Sequence, residues 1–175
     1  SFTFNIETGA ATANGALTGN ISKLENLGAE LAAIGALKIH AAFDGGSSKD
    51  SAQLGKLEFD VATADGRKLV AVAAQQKLSF SFKDQRLTPE RPGAELARVS
   101  LMSVPLAWAQ PALKPRTISS GDLSGVFVVG AELAGSRVTL SSVEPLTLRA
   151  VTLREGDKIL ADRVTLSVSP RIDYT

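Results

Sequence analysis

Cysteine is absent from this 175-residue chain, and histidine occurs once, as His40. The first absence excludes disulfides and thiolate metal sites, and it suits an envelope protein as well as a cytosolic one. The second leaves little material for catalysis. A Ser-His-Asp relay would have to use His40, and the ligands of a zinc site are missing. His40 lies on the polar side of an alternating strand pattern, where the expected reading is an exposed surface residue. Excess charge of one sign is lacking too: 19 Lys and Arg against 18 Asp and Glu give a net charge of +1. No global field therefore draws in nucleic acid or an acidic surface. Aromatic residues make up only 5% of the chain, so its apolar character comes from Leu, Val, Ile and Ala. No apolar run approaches the ~20 residues needed to span a bilayer, and no signal peptide opens the sequence. Ser1-Phe2-Thr3-Phe4 reads as mid-strand, and Arg171-Ile172-Asp173-Tyr174-Thr175 reads as though another strand follows. The expectation is one β-rich domain over 1–175, a segment of a longer repetitive protein.

What is present is alternation. Arg163-Val164-Thr165-Leu166-Ser167 runs on to Pro170 with the period of a strand that has one buried face. The same phrase occurs as Arg98-Val99-Ser100-Leu101 and as Arg137-Val138-Thr139-Leu140, each with a proline downstream. A second phrase, Gly15-Ala16-Leu17-Thr18-Gly19, returns as Gly121-Asp122-Leu123-Ser124-Gly125. Irregularly spaced copies of this kind read as decayed repetition of one strand unit.

Strand patterns also cover Phe2 to Ile6, Leu17 to Ile21, Leu37 to Phe43, Leu57 to Val61, Lys68 to Ala74 and Leu78 to Phe82. Further strands are expected at 122–129, 136–142, 146–153 and 159–169. Leu24, Leu27, Leu31 and Ile34 recur at helical spacing, with a capping box at Ser22 and Glu25 and a stop at Gly35. This predicts a short amphipathic helix near 23–34. Gly45-Gly46-Ser47-Ser48 and 84–93 read as loops. Asp65-Gly66 between two strands predicts a hairpin with a type I′ turn. Pro105 opens one or two helical turns up to Lys114, interrupted by Pro111. At Ala150 the apolar parity slips by one, as at a bulge. The sum is an all-β chain with minor helix, a mostly antiparallel meander. It forms either a curled open sheet or a sandwich, with one wet and one dry face.

Candidate chemistry is sparse. Glu58 and Asp60 lie two apart, as an acid–base pair could, but they fit a solvated strand face better. Asp157 and Asp162 read as turn and strand-end residues. Arg98, Arg137 and Arg163 could form a basic stripe for phosphate groups, and routine outward charge that guards a sheet is the simpler reading. Trp108 fits a plug that docks a short helix. The glycines of the second phrase spell no phosphate cradle, and suit close strand packing or bulges. No catalytic residue, metal ligand or cofactor is expected, and the chain reads as a non-enzyme.

Two stretches resemble a known family. Gly15-Ala16-Leu17-Thr18-Gly19, then Leu24 to Ile34, then Gly35-Ala36-Leu37-Lys38-Ile39 form one. Val104-Pro105-Leu106-Ala107-Trp108-Ala109-Gln110-Pro111 with the Gly-x-Leu-x-Gly strand after it forms the other. Together they resemble the AsmA/TamB group of bacterial envelope proteins. The resemblance implies a long curled sheet, open along one side, that moves or organises lipid between membranes or assists outer-membrane biogenesis. It implies the periplasm or cell envelope of a Gram-negative-type bacterium. The implied partners are a phospholipid or other acyl-chain ligand, neighbouring repeats of the same chain and envelope membrane proteins, with no nucleic acid. On that reading the lipid-binding apolar face comprises Leu37, Ile39, Phe43, Leu57, Phe59, Val61, Leu78, Phe80 and Phe82. The alternative is a structural or adhesive sandwich module whose dry face is fully packed.

Overall fold

Alternation of apolar and polar residues recurs through almost every segment of the chain, and the fold follows it. The computed structural model describes residues 1–26, 32, 34–132 and 137–174. Its strands are β1 (Phe2–Asn5), β2 (Ala10–Ile21), β3 (Leu37–Ser47), β4 (Ser51–Thr63), β5 (Lys68–Ala74) and β6 (Leu78–Ser81). They continue as β7 (Arg86–Pro89), β8 (Glu95–Pro105), β9 (Arg116–Glu132), β10 (Arg137–Glu155), β11 (Lys158–Val168) and β12 (Arg171–Tyr174). All twelve belong to one antiparallel sheet that does not close, so the open-sheet alternative is the one observed.

The order is β1-β2-β3-β4-β5-β8-β9-β10-β11. The other three strands extend this path lengthwise. β6 follows β5 along the first half of β4, β7 returns beside β6 into β8, and β12 follows β11 along β10. Each ribbon therefore lies beside its sequence neighbour, which is the expected meander. Gln76 secures the interruption between β5 and β6. It is buried, its Nε2 donates to Ala94 O (3.2 Å) and Glu95 O (2.9 Å), and its Oε1 accepts from Arg91 N (2.6 Å). One side chain thus satisfies backbone groups that the broken ladder leaves over.

The β4–β5 hairpin forms where expected, with a different turn. Gly66 has φ +92°, but Asp65 is not in the positive-φ region that a type I′ turn requires. Gly66 N donates to Thr63 O and Thr63 N to Arg67 O, both at 2.9 Å. The result is a three-residue loop with glycine at its left-handed position. The Thr63 hydroxyl adds a bond to the Asp65 carboxylate across the loop.

β10 is one strand, not the two expected over 136–142 and 146–153, because bulges absorb its irregular residues. Its pairing with β9 shifts between Ser142 and Thr147, around Pro145, and again between Arg149 and Thr152, around Ala150 with φ +50°. Proline is tolerated at such points because a bulge releases a ladder donor. Both bulges lie against the second glycine phrase. A Cβ on Gly125 would meet Leu146 Cα at 3.0 Å, and one on Gly121 would meet Val151 Cα at 3.1 Å.

Other boundaries also differ. Gly45 to Ser47 continues β3 instead of looping, and β7 lies inside the expected 84–93 loop. Pro105 does open a helical piece, a 3-10 segment at Leu106–Ala112 that contains Pro111. Half of the helix expected near 23–34, residues 27–31 and 33, lies outside the described residues, and Leu24–Asn26 forms a 3-10 turn.

A single layer buries little. Among the described residues the buried hydrophobics are Leu37, Leu69, Val128 and Ala131. The accessible surface is 11138 Å², whereas a compact monomer of 18.3 kDa exposes about 8,100 Å². The excess is the surface that a second layer would ordinarily cover.

Candidate binding face

Residues directly opposite one another in a sheet share a face, so the register assigns each side chain to one side. Ile39 pairs with Val61, Phe43 with Leu57, and Leu37 with Thr63. Phe59 lies between Ala41 and Val72. Leu78 pairs with Leu54 and Phe80 with Ala52. Between Leu54 and Leu57 the β3–β4 register shifts by one, which keeps both on the same side. Phe82 follows Phe80 by alternation, and the two rings meet edge to face with centroids 5.9 Å apart. All nine residues of the expected apolar face therefore share one side of the sheet.

That side extends well beyond them. One row of pairs runs Leu17–Ala41–Phe59–Val72–Val99–Phe127 across six strands. A parallel row runs Ile39–Val61–Val70–Leu101. At ~4.8 Å between strands, the first row spans about 24 Å. Val99, Val138 and Val164 of the recurring phrase all lie on this side, opposite Phe127, Ala131 and Val151. So do Phe2 and Phe4, opposite Ala13 and Ala11. All seven phenylalanines of the chain thus fall on one face. Sequence reasoning stopped its list at Phe82, although Val70, Val72, Val99 and Leu101 carry the same alternation.

The face is accessible. Phe43 is 46% exposed, Phe59 37%, Leu57 42% and Phe82 46%, while Ile39, Val61, Leu78 and Phe80 are half-buried and Leu37 is buried. Further along, Leu166 and Val168 are 55% exposed. Side chains in a packed sandwich core would not be so open.

The opposite face is polar. His40 Nδ1 lies 3.6 Å from Asp60 Oδ2, and Lys68 Nζ lies 3.1 Å from Asp60 Oδ1. Thr18 is the cross-strand neighbour of His40 on this face. Glu58 is held by Lys56 at 3.0 Å. Arg98 binds Glu95 at 2.8 Å, and Arg137 and Arg171 both bind Asp173, at 3.1 and 3.3 Å. The Thr139 hydroxyl and Arg171, with Arg137 nearby, hold the Asp173 carboxyl below its ordinary pKa. Around Gly130, Glu95, Arg137, Thr139 and Arg171 line a shallow cleft of about 290 Å³. Arg163 is set apart by φ +46° at a bulge, so the three phrase arginines do not form one stripe. Trp108 is half-buried with its Nε1 unpartnered.

Among the described residues no cluster of three or more His, Cys, Asp or Glu could hold a metal ion. No described helix is long and apolar enough to cross a membrane. Comparison with known protein families, with curated proteins and with solved structures gives no match to this chain.

Proposed function

We propose that the chain holds lipid acyl chains on its apolar face, as a non-enzymatic transport or bridging segment of a bacterial cell envelope. The observation that carries this reading is a continuous apolar face left open in a single-layer sheet. Contiguous exposed apolar surface of this extent is unfavourable in water unless something binds it. The cross-strand row of about 24 Å exceeds the ~15 Å depth of one leaflet's hydrocarbon, so an extended acyl chain fits along it. Each methylene removed from water contributes roughly 0.8 kcal/mol. Ten methylenes give about 8 kcal/mol before ordering losses, the scale of micromolar binding.

Among the described residues this face carries no demanding polar constellation, which fits a ligand recognised by its hydrocarbon. The resemblance to the AsmA/TamB group supports the same reading and implies the periplasm as its location, with neighbouring repeats and envelope membrane proteins as partners. A structural module would need its apolar face covered by another layer, and the sheet is open. The test is extraction of the purified protein with organic solvent and identification of bound lipid by mass spectrometry. Lipid at a fixed ratio to protein supports the proposal. Lipid-free protein that also fails to take up fatty acid or phospholipid from vesicles contradicts it.

A further inference from the structure

We infer that the row Arg116–Glu155–Lys158, at one end of the apolar face, holds the singly charged oxyanion headgroup of a lipid whose tail lies on that face; this assignment rests on the acyl-chain reading above. Register carries the face along β10 and β11 in the pairs Leu146–Val168, Leu148–Leu166, Val151–Val164 and Leu153–Ala161. Glu155 stands two residues beyond Leu153, and the β9–β10 register is unbroken between them, so both face the same way. Glu155 pairs with Lys158 on one side and Arg116 on the other, which puts all three on the apolar side. No charged residue occurs in those four pairs or in the two long cross-strand rows. The apolar surface ends here in charge.

Two cations face one carboxylate, and neither is fully engaged. Arg116 Nε stands 4.0 Å from Glu155 Oε1, too far for a hydrogen bond. No ion pair with a described residue holds the Lys158 ammonium. All three residues are exposed. The row therefore keeps a surplus of one positive charge, which a singly charged oxyanion neutralises, and its guanidinium and ammonium N–H groups are the strong donors such a group takes.

The backbone beneath Arg116 is fixed, although β8 stops short of it. Arg116 N donates to Leu113 O at 2.8 Å, and Arg116 O accepts from Gln110 Nε2 at 2.8 Å. Ile118 N donates to Gln110 Oε1 at 2.9 Å. Gln110 thus stands in for a neighbouring strand and sets where the arginine side chain starts. From Glu155 back to Leu148, β10 covers about 20 Å. An acyl tail spanning the ~15 Å of one leaflet's hydrocarbon can run from the charged row over Leu153, Val151 and Leu148.

The test is competition between headgroups on the same hydrocarbon. Delipidated protein is mixed with phosphatidylcholine vesicles that carry equal minor amounts of dioleoylphosphatidylglycerol, oleate and uncharged dioleoylglycerol, and the lipid it takes up is identified by mass spectrometry. The wild type should enrich an anionic lipid about tenfold over dioleoylglycerol. Whether phosphatidylglycerol or oleate is enriched tells a phosphodiester from a carboxylate. Arg116→Gln with Lys158→Gln should bring the enrichment down to about one. Glu155→Gln should raise it, because the one opposing charge is gone, and high salt should lower it. A wild type that takes up charged and uncharged lipid alike, a double variant that keeps the enrichment, or a Glu155→Gln variant that loses it would overturn the headgroup site while leaving the acyl-chain reading in place. Protein that takes up no lipid at all would overturn both.

Discussion

Gly15 lies directly opposite Phe43 in the β2–β3 ladder, and the Phe43 ring covers it. A Cβ built on Gly15 would stand 3.2 Å from ring Cε1 and 3.3 Å from Cζ. Glycine weakens a strand because it offers no side chain to pack, and a neighbouring aromatic compensates by shielding the bare backbone.

The pair should therefore be coupled. Phe43→Ala is expected to destabilise by about 1 kcal/mol, from lost apolar cover and the lost cross-strand contact. In a Gly15→Ala background the loss should be smaller, since the ring is already displaced there. A double-mutant cycle in urea measures the difference, and additive effects would show that the ring is not packed on Gly15.

Gly66 has φ +92° and open space around it, so any effect of substitution there is conformational. Gly66→Val should destabilise by roughly 1–2 kcal/mol, because a β-branched residue is strained at positive φ. The midpoint of urea unfolding reads it, and an unchanged midpoint would contradict the turn geometry.

Gln76→Ala removes three bonds to the backbone of Arg91, Ala94 and Glu95 and should cost about 2–3 kcal/mol. The loss should be local first. Hydrogen exchange is expected to speed up across β6, β7 and the start of β8 while β2 and β3 stay protected, and uniform acceleration would contradict a local staple.

Asp173 and Asp65 are held below the ordinary carboxylate value of 3.8, Asp173 chiefly by the Thr139 hydroxyl and Asp65 chiefly by that of Thr63. A carboxyl depressed in the folded state stabilises it above the unfolded pKa, and that contribution disappears as pH falls through the folded value. Stability should thus decline below about pH 4, with a shallower decline in Asp173→Asn. Equal slopes for variant and wild type would show that this network is not coupled to folding.

The strands were legible wherever a half-buried period of two held, because in a meander each strand pairs with its sequence neighbour. Ala150 was legible as a bulge because one slipped residue moves every later side chain to the other face. The turn at Asp65 was misread because Asp-Gly also suits a loop one residue longer, and the choice rests on bonds made by Thr63. Two strands were expected at 136–142 and 146–153 where one runs through, since the sequence does not show that Gly125 of β9 makes room for a bulge beside Pro145. The glycine phrases read as copies, yet they act differently: Gly121 and Gly125 abut bulges, Gly15 lies under Phe43, and a Cβ on Gly19 would meet nothing within 4 Å. The apolar face was legible as three strands and is much larger, because register across the whole sheet is a long-range property.

Phe59→Glu tests the central proposal most directly, since Phe59 occupies the long apolar row and is 37% exposed. On an open face the carboxylate stays hydrated in the empty protein, so the variant should keep the wild-type circular dichroism spectrum. It should also carry much less extractable acyl lipid than the wild type, because a charge against hydrocarbon is strongly unfavourable. A folded variant that retains wild-type lipid would contradict the assignment of this face to acyl chains, and an unfolded one would show that Phe59 lies in a closed core.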